Sequence, residues 1–123
     1  MDKLSKFDKE NIILREIFKN GKFIVKDWLN EQMIPKNSIN YLIKSLETEG
    51  FIKTKSQKPK IVDFTHKISK ILLLIEKSDY IFNNELSNNF NYNNIDNIIE
   101  RLIDAKIVSM DIKNKKVCYR IYS

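Results

Sequence analysis

The sequence predicts an α+β protein, mostly α with small β-hairpins, built as two tandem copies of one plan. Three observations carry this reading. Apolar residues recur at helical spacing in several segments of about 10 to 15 residues. Gly and Pro number only two each in 123 residues, so the connections are short. The apolar pattern of the first half returns in the second at an offset that drifts only from 58 to 56 residues.

The first helix runs from about Lys6 or Asp8 to Lys19, with Ile13, Leu14, Ile17 and Phe18 inward, and is stopped by Asn20-Gly21. Phe23-Ile24-Val25 is a short extended piece. A second helix, about Lys26 to Glu31 or Gln32, buries Trp28 and Leu29, and Met33-Ile34 turns into the next. That helix, from Pro35 to Gly50, is the pivot of the unit. Ile39, Leu42, Ile43 and Leu46 fall at i, i+3, i+4 and i+7 and form its core stripe. Pro35 suits a first turn, where a missing N–H costs nothing, and Gly50 suits the left-handed residue that closes a helix. Two strands follow, Phe51 to Lys55 and Lys60 to Phe64, joined by Ser56-Gln57-Lys58-Pro59.

The second half repeats this order. Ile71, Leu72 and Ile75 answer Ile13, Leu14 and Ile17; Tyr80-Ile81-Phe82 and Leu86 answer Phe23-Ile24-Val25 and Leu29. Ile95, Ile98, Ile99 and Leu102 answer the pivot stripe, and Ile107-Val108 answers Phe51-Ile52. The segment Val117 to Tyr122 answers the closing strand across a turn at Lys113 to Lys116. The expected division is residues 1–65 for unit 1 and 66–123 for unit 2.

Bulk properties narrow the class. With 42% hydrophobic residues the chain can bury a core, and its length allows one ordinary domain or two very small ones. A single cysteine, Cys118, permits no internal disulfide, and the longest apolar run, Ile71 to Ile75, is far too short to span a bilayer. The opening MDKLSKFDKE has no apolar signal segment. The expected setting is therefore the reducing cytoplasm, with no membrane partner. The net charge of +6 favours a polyanionic partner. It leans to the first half, where residues 1–64 hold 13 Lys and Arg against 9 Asp and Glu; the rest holds 9 against 7.

The exposed side of the pivot helix, at 100° per residue, carries Asn37, Tyr41, Lys44 and Thr48, flanked by Ser38, Asn40 and Ser45. Such a face, followed by "EGFI" and a lysine-rich hairpin, resembles the recognition helix and wing of winged helix-turn-helix proteins, especially the MarR-like regulators. The order helix, short strand, helix, helix, hairpin is similar to their plan, and the whole chain then resembles a tandem winged helix-turn-helix. Tandem arrangements of this kind also resemble plasmid replication initiators and the kleisin-binding subunits of bacterial condensin.

The resemblance implies double-stranded DNA as partner, with the pivot helix in the major groove and the wing on phosphates. Asn37 and Asn40 can pair with adenine edges, while Lys36, Ser38 and Lys44 can reach bases or phosphate. Tyr41 can donate to a phosphate or rest on a thymine methyl. The wing lysines are Lys53, Lys55, Lys58 and Lys60. Roughly four to six phosphate contacts imply a salt slope near −4 to −5, at about −0.9 per phosphate.

Unit 2 carries Asn93, Asn97, Glu100 and Asp104 on the corresponding face, with Asp96 beside them. Carboxylates repel a phosphate-lined groove. Its expected contributions are Lys113, Lys115 and Lys116 to the DNA backbone, or Asp96, Glu100 and Asp104 to a protein partner; the oligomeric state stays open.

Other prominent residues have plainer roles. Trp28 is expected in the core, Cys118 as a small buried hydrophobe, and Tyr80, Tyr92, Tyr119 and Tyr122 at rims. The asparagines from Asn83 to Asn94 are read as compositional drift plus helix capping. His66 is the sole histidine, with no ligand spacing around it, so neither a metal nor a cofactor is expected. No glycine-rich phosphate loop or nucleophile set is present, and the remaining carboxylates are expected at solvent positions of helices. The chain is read as a non-enzyme. The alternative function is a protein-interaction module, an adaptor or an inhibitor carried by a phage or plasmid, that docks partners on the same surfaces.

Overall fold

The computed structural model describes residues 5–21, 23–24, 36–55, 61–90 and 94–122. The expected helix around Trp28 and the hairpin tip with Lys58 and Lys60 lie outside them. So do Tyr92 and Asn93 and, as side chains, Lys36, Asn37 and Ser38. Over the described residues the fold is α+β: five helices and two small antiparallel sheets. Backbone contacts divide the chain into two compact units, Met1–Ile68 and Ser69–Ser123. None of the described helices is long and apolar enough to cross a membrane.

In unit 1, α1 spans Lys6–Asn20. It starts at a reciprocal cap in which the Asp8 N–H donates to Ser5 Oγ (3.0 Å) and the Ser5 N–H donates to Asp8 Oδ2 (3.3 Å). Gly21, at φ 78°, ends it, its N–H bonded to the Ile17 carbonyl at 2.8 Å. Strand β1 (Phe23–Ile24), helix α2 (Lys36–Thr48) and strands β2 (Ile52–Lys55) and β3 (Ile61–Phe64) follow. The sheet order is β1-β3-β2, all antiparallel, with Ile52 opposite Phe64 and Thr54 opposite Val62. Ile13, Leu14 and Ile17 of α1 and Ile39, Leu42, Ile43 and Leu46 of α2 are all fully or almost fully buried, as are Phe51, Ile52, Val62 and Phe64. Each large side chain removed from water in this way is worth about 1.5–3 kcal/mol.

Glu10 is buried among them at 2% exposure, which corrects the expectation that helix carboxylates face solvent. The i,i+4 ion pair from Lys6 Nζ to Glu10 Oε1 (3.6 Å) is one reason the charge is tolerated there.

Helix α3 (His66–Lys77) starts in the last residues of unit 1 and continues into unit 2, which also holds β4 (Ile81–Phe82), α4 (Asn83–Asn89), α5 (Ile95–Asp104), β5 (Val108–Lys113) and β6 (Lys116–Ile121). Its sheet order, β4-β6-β5, repeats that of unit 1. Ile71, Leu72 and Ile75, then Leu86, then Ile95, Ile98, Ile99 and Leu102, and finally Ile107 and Val108 are buried. Cys118 is fully buried as well.

The repetition extends to single hydrogen bonds. Helix α2 closes with the Gly50 N–H on the Glu47 carbonyl (3.0 Å) and the Phe51 N–H on the Leu46 carbonyl (3.1 Å). Helix α5 closes with Lys106 on Ile103 (2.9 Å) and Ile107 on Leu102 (3.0 Å), the same pair of bonds 56 residues on. Both are Schellman closures, which need a left-handed residue: Gly50 has φ 84° and Lys106 has φ 60°. Gly21 and Asp79 form a second such pair at φ 78° and 66°, an offset of 58. After the hairpins, the Thr65 N–H returns to the Phe51 carbonyl (3.1 Å) and the Tyr122 N–H to the Ile107 carbonyl (2.9 Å).

The asparagine expectation needs correction. Asn94 stands at the N-cap of α5 and Phe82 at that of α4, and neither makes a side-chain cap bond. Instead Asn89 Nδ2 donates to the Glu85 carbonyl at the other end of α4 (2.8 Å), and Asn83 Oδ1 accepts from the Tyr119 hydroxyl (3.3 Å).

Candidate nucleic-acid interface

Helix α2 buries one stripe, so geometry leaves Asn40, Tyr41, Lys44 and Thr48 on the other side, and all four are exposed. Asn40, Lys44 and Thr48, with Glu47, line a shallow open depression. The Thr48 hydroxyl is directed back to the Lys44 carbonyl (2.9 Å), so it offers less to a ligand than its position alone implies. Lys36, Asn37 and Ser38 belong to the first turn of the helix.

The Schellman closure carries the chain from this helix directly into β2. Phe51 and Ile52 enter the core at that point, which locks the direction of the strand relative to the helix. Strand alternation then puts Ile52 and Thr54 inward and Lys53 and Lys55 outward, and both lysines are exposed. The helix face and two strand cations are thus fixed by one stretch of chain, Lys36 to Lys55.

One contact and two neighbouring carboxylates at this surface were not anticipated. Lys6 Nζ lies 5.0 Å from the centroid of the Tyr41 ring, a cation–π contact between α1 and α2. Tyr41 keeps 61% of its surface exposed, but one ring face is occupied, so the hydroxyl and the ring edge are what it presents. The i,i+4 spacing of Lys6 and Glu10 was visible in sequence; its alignment with Tyr41 depends on how α1 packs on α2. Asp63 stands directly opposite Lys53 across the β2–β3 ladder, offsetting part of that cation's field. Glu47 sits one turn from Lys44 and brings a carboxylate to the edge of the face. Among the described cations of this surface, Lys55 has neither of these two carboxylates beside it.

Within β2, Thr54 Oγ1 is buried with no hydrogen-bond partner among the described residues. It faces Val62 and contributes nothing to the outer surface.

In unit 2 the same helical side carries Asp96, Asn97, Glu100 and Asp104, all exposed. Of the three lysines expected on the DNA backbone, Lys115 and Lys116 are exposed at the hairpin, while Lys113 Nζ lies 4.0 Å from the centroid of the Tyr80 ring. Burial, and then the charge of Asp96, push the Tyr119 phenol above its ordinary pKa of 10.0. No group of three His, Cys, Asp or Glu side chains is placed to hold a metal ion among the described residues. No protein-family model matches the chain, and no curated protein matches it either.

Proposed function

We propose that this chain is a sequence-specific double-stranded DNA-binding protein of tandem winged helix-turn-helix type, a small transcriptional regulator or a replication or partition factor of a mobile element. The observation that supports the reading is that one stretch of chain carries both the exposed helix face and the outward strand cations. The exposed Asn40, Tyr41 and Lys44 of α2 lead through a rigid helix closure into the exposed Lys53 and Lys55 of β2. A helix offering amide and ammonium groups can read base edges in a major groove, with Asn suited to adenine. The adjacent cations then meet the phosphates and fix the register. In this reading Tyr41, held by Lys6, donates its hydroxyl to a phosphate. The protein acts by binding, without catalysis, in an intracellular setting.

Unit 2 takes another part. Asp96, Glu100 and Asp104 on α5 would be repelled by a groove, so DNA contact from this unit is confined to Lys115 and Lys116 at the hairpin. A second reading, docking of a protein on unit 2, is favoured by one observation. Met110 and Ile112 of β5 are 58% and 66% exposed beside that acidic helix.

The test of the DNA reading is charge reversal at both ends of the surface, Lys44→Glu with Lys55→Glu. The double variant is expected to lose DNA binding at physiological salt, and at low salt to lose about two counterions from its slope, at roughly −0.9 each. Binding that persists with the slope unchanged would place the DNA surface elsewhere.

A further inference from the structure

Two residues at the start of α1 stand where each alone would cost stability. Lys6 is the first residue of the helix, where the helix dipole is positive and a cation is disfavoured. Glu10, one turn on, takes the first place in the buried stripe Glu10, Ile13, Leu14, Ile17. A charge buried in such company is costly unless it is paired. The two are paired with each other, Lys6 Nζ lying 3.6 Å from Glu10 Oε1. Asp8, the acid of the first turn, is turned to the Ser5 cap. The ammonium anchored in this way also reaches α2, where it lies 5.0 Å from the centroid of the Tyr41 ring.

The three groups run from core to surface: a buried carboxylate, a half-exposed ammonium and an exposed ring. A tyrosine as open as Tyr41 has little else to fix it. Ordering a free side chain at the moment of binding weakens an interaction about two- to tenfold, and a cation already seated on the ring removes part of that cost in advance. The charge of Lys6 is matched by Glu10, so the pair adds little to the field that a phosphate meets. Lys6 therefore differs in kind from Lys44, the exposed cation three residues after Tyr41 on α2.

We propose that Lys6 and Glu10 are positioning residues for DNA contact by unit 1: Glu10 anchors Lys6, Lys6 fixes the Tyr41 ring, and the Tyr41 hydroxyl is thereby preset to donate to a phosphate. The inference rests on the reading of unit 1 as a duplex DNA binder. It brings α1 into that reading through the orientation of Tyr41, with no phosphate contact from Lys6 itself.

The test is binding of mixed-sequence duplex DNA by variants of the full chain that remove the pair without changing net charge, with circular dichroism to establish that each is folded. Lys6→Met with Glu10→Gln is expected to weaken binding about two- to tenfold and to leave the salt slope as in the wild type. Lys6→Arg keeps a cation that can pair with Glu10 and lie on the ring, and is expected to bind within about twofold of the wild type. In a Tyr41→Phe background no hydroxyl remains to be placed, so removing the pair is expected to cost nothing further. A slope lowered by about 0.9 in the double variant would put Lys6 on a phosphate and overturn the positioning role. Unchanged affinity in the double variant, an equal loss in the Tyr41→Phe background, or Lys6→Arg as weak as the double variant would overturn it with the DNA reading intact. A wild type that does not bind would refute the DNA reading, and the proposal with it. The contact itself is read without DNA: Lys6→Met alone, an exchange at a half-exposed side chain, is expected to move the Tyr41 ring proton resonances of the free chain. Resonances that stay at their wild-type positions would overturn the proposal whatever the chain binds.

Discussion

Gly50 and Lys106 close equivalent helices in the same left-handed conformation, and one exchange at each separates backbone strain from every other effect. A Cβ at position 50 would meet no atom within 4 Å, so Gly50→Ala introduces no clash. What remains is the left-handed penalty of roughly 1–2 kcal/mol for an L-residue, reduced by about 0.4–1 kcal/mol because alanine stiffens the unfolded chain. The net expectation is a loss of about 1 kcal/mol. Lys106→Gly runs the comparison in reverse, since lysine already bears the strain at φ 60°, and is expected to stabilise unit 2 by about 0.5–1 kcal/mol. For units of about 60 residues each kcal/mol shifts the midpoint by roughly 4–8 °C. Scanning calorimetry of each variant against the wild type reads the shift. If Lys106→Gly lowered the midpoint, or Gly50→Ala left it unmoved, the strain argument at these closures would be refuted.

Other expectations follow from the same structure. Thr54→Val removes a buried hydroxyl that has no partner among the described residues and keeps its shape, so unit 1 should gain about 1–2 kcal/mol in urea unfolding. Lys115→Gly relieves the second positive-φ residue of the Asn114-Lys115 turn and creates Asn-Gly, the preferred pair for such a hairpin; a gain of about 0.5–1 kcal/mol is expected by the same assay. Leu46→Ala and Leu102→Ala, both fully buried at matching positions, should each cost about 2–5 kcal/mol and lower the transition of their own unit. The Tyr119 phenol is protonated in the folded state at a pH where the unfolded chain has begun to ionise. Its contribution is thus complete below about pH 10 and fades as the pH rises through the folded value, and in an alkaline titration of stability Tyr119→Phe should remove that fading.

Periodicity made most of the core legible. Ile13, Leu14 and Ile17, the α2 stripe and their counterparts in unit 2 sit at helical spacing, and burial follows spacing once a helix has only one side to pack. The end of α5 was harder to place, because the left-handed residue there is Lys106, a type that carries no stop signal in sequence. The exposed α2 face could likewise be read from phase alone. Its electrostatics could not. The approach of Lys6 to Tyr41 depends on the packing of α1 against α2, and the pairing of Lys53 with Asp63 on ladder register, both of which are tertiary. The apolar strip on β5 and β6 was hidden for a related reason. Alternation marks Met110, Ile112 and Val117 as inward, and only the structure shows that the helical cover ends before it reaches them.

Unit 1 is proposed to bind duplex DNA. The most direct test is a salt titration of the purified chain with mixed-sequence AT-rich duplex, with its mass measured in the same buffer. Asp63 and Glu47 offset part of the positive field, so the expected result is micromolar or tighter binding at low salt with a slope near −4, from about four phosphate contacts. A folded, monodisperse sample that fails to bind at low salt, or binds with a slope near zero, would contradict it.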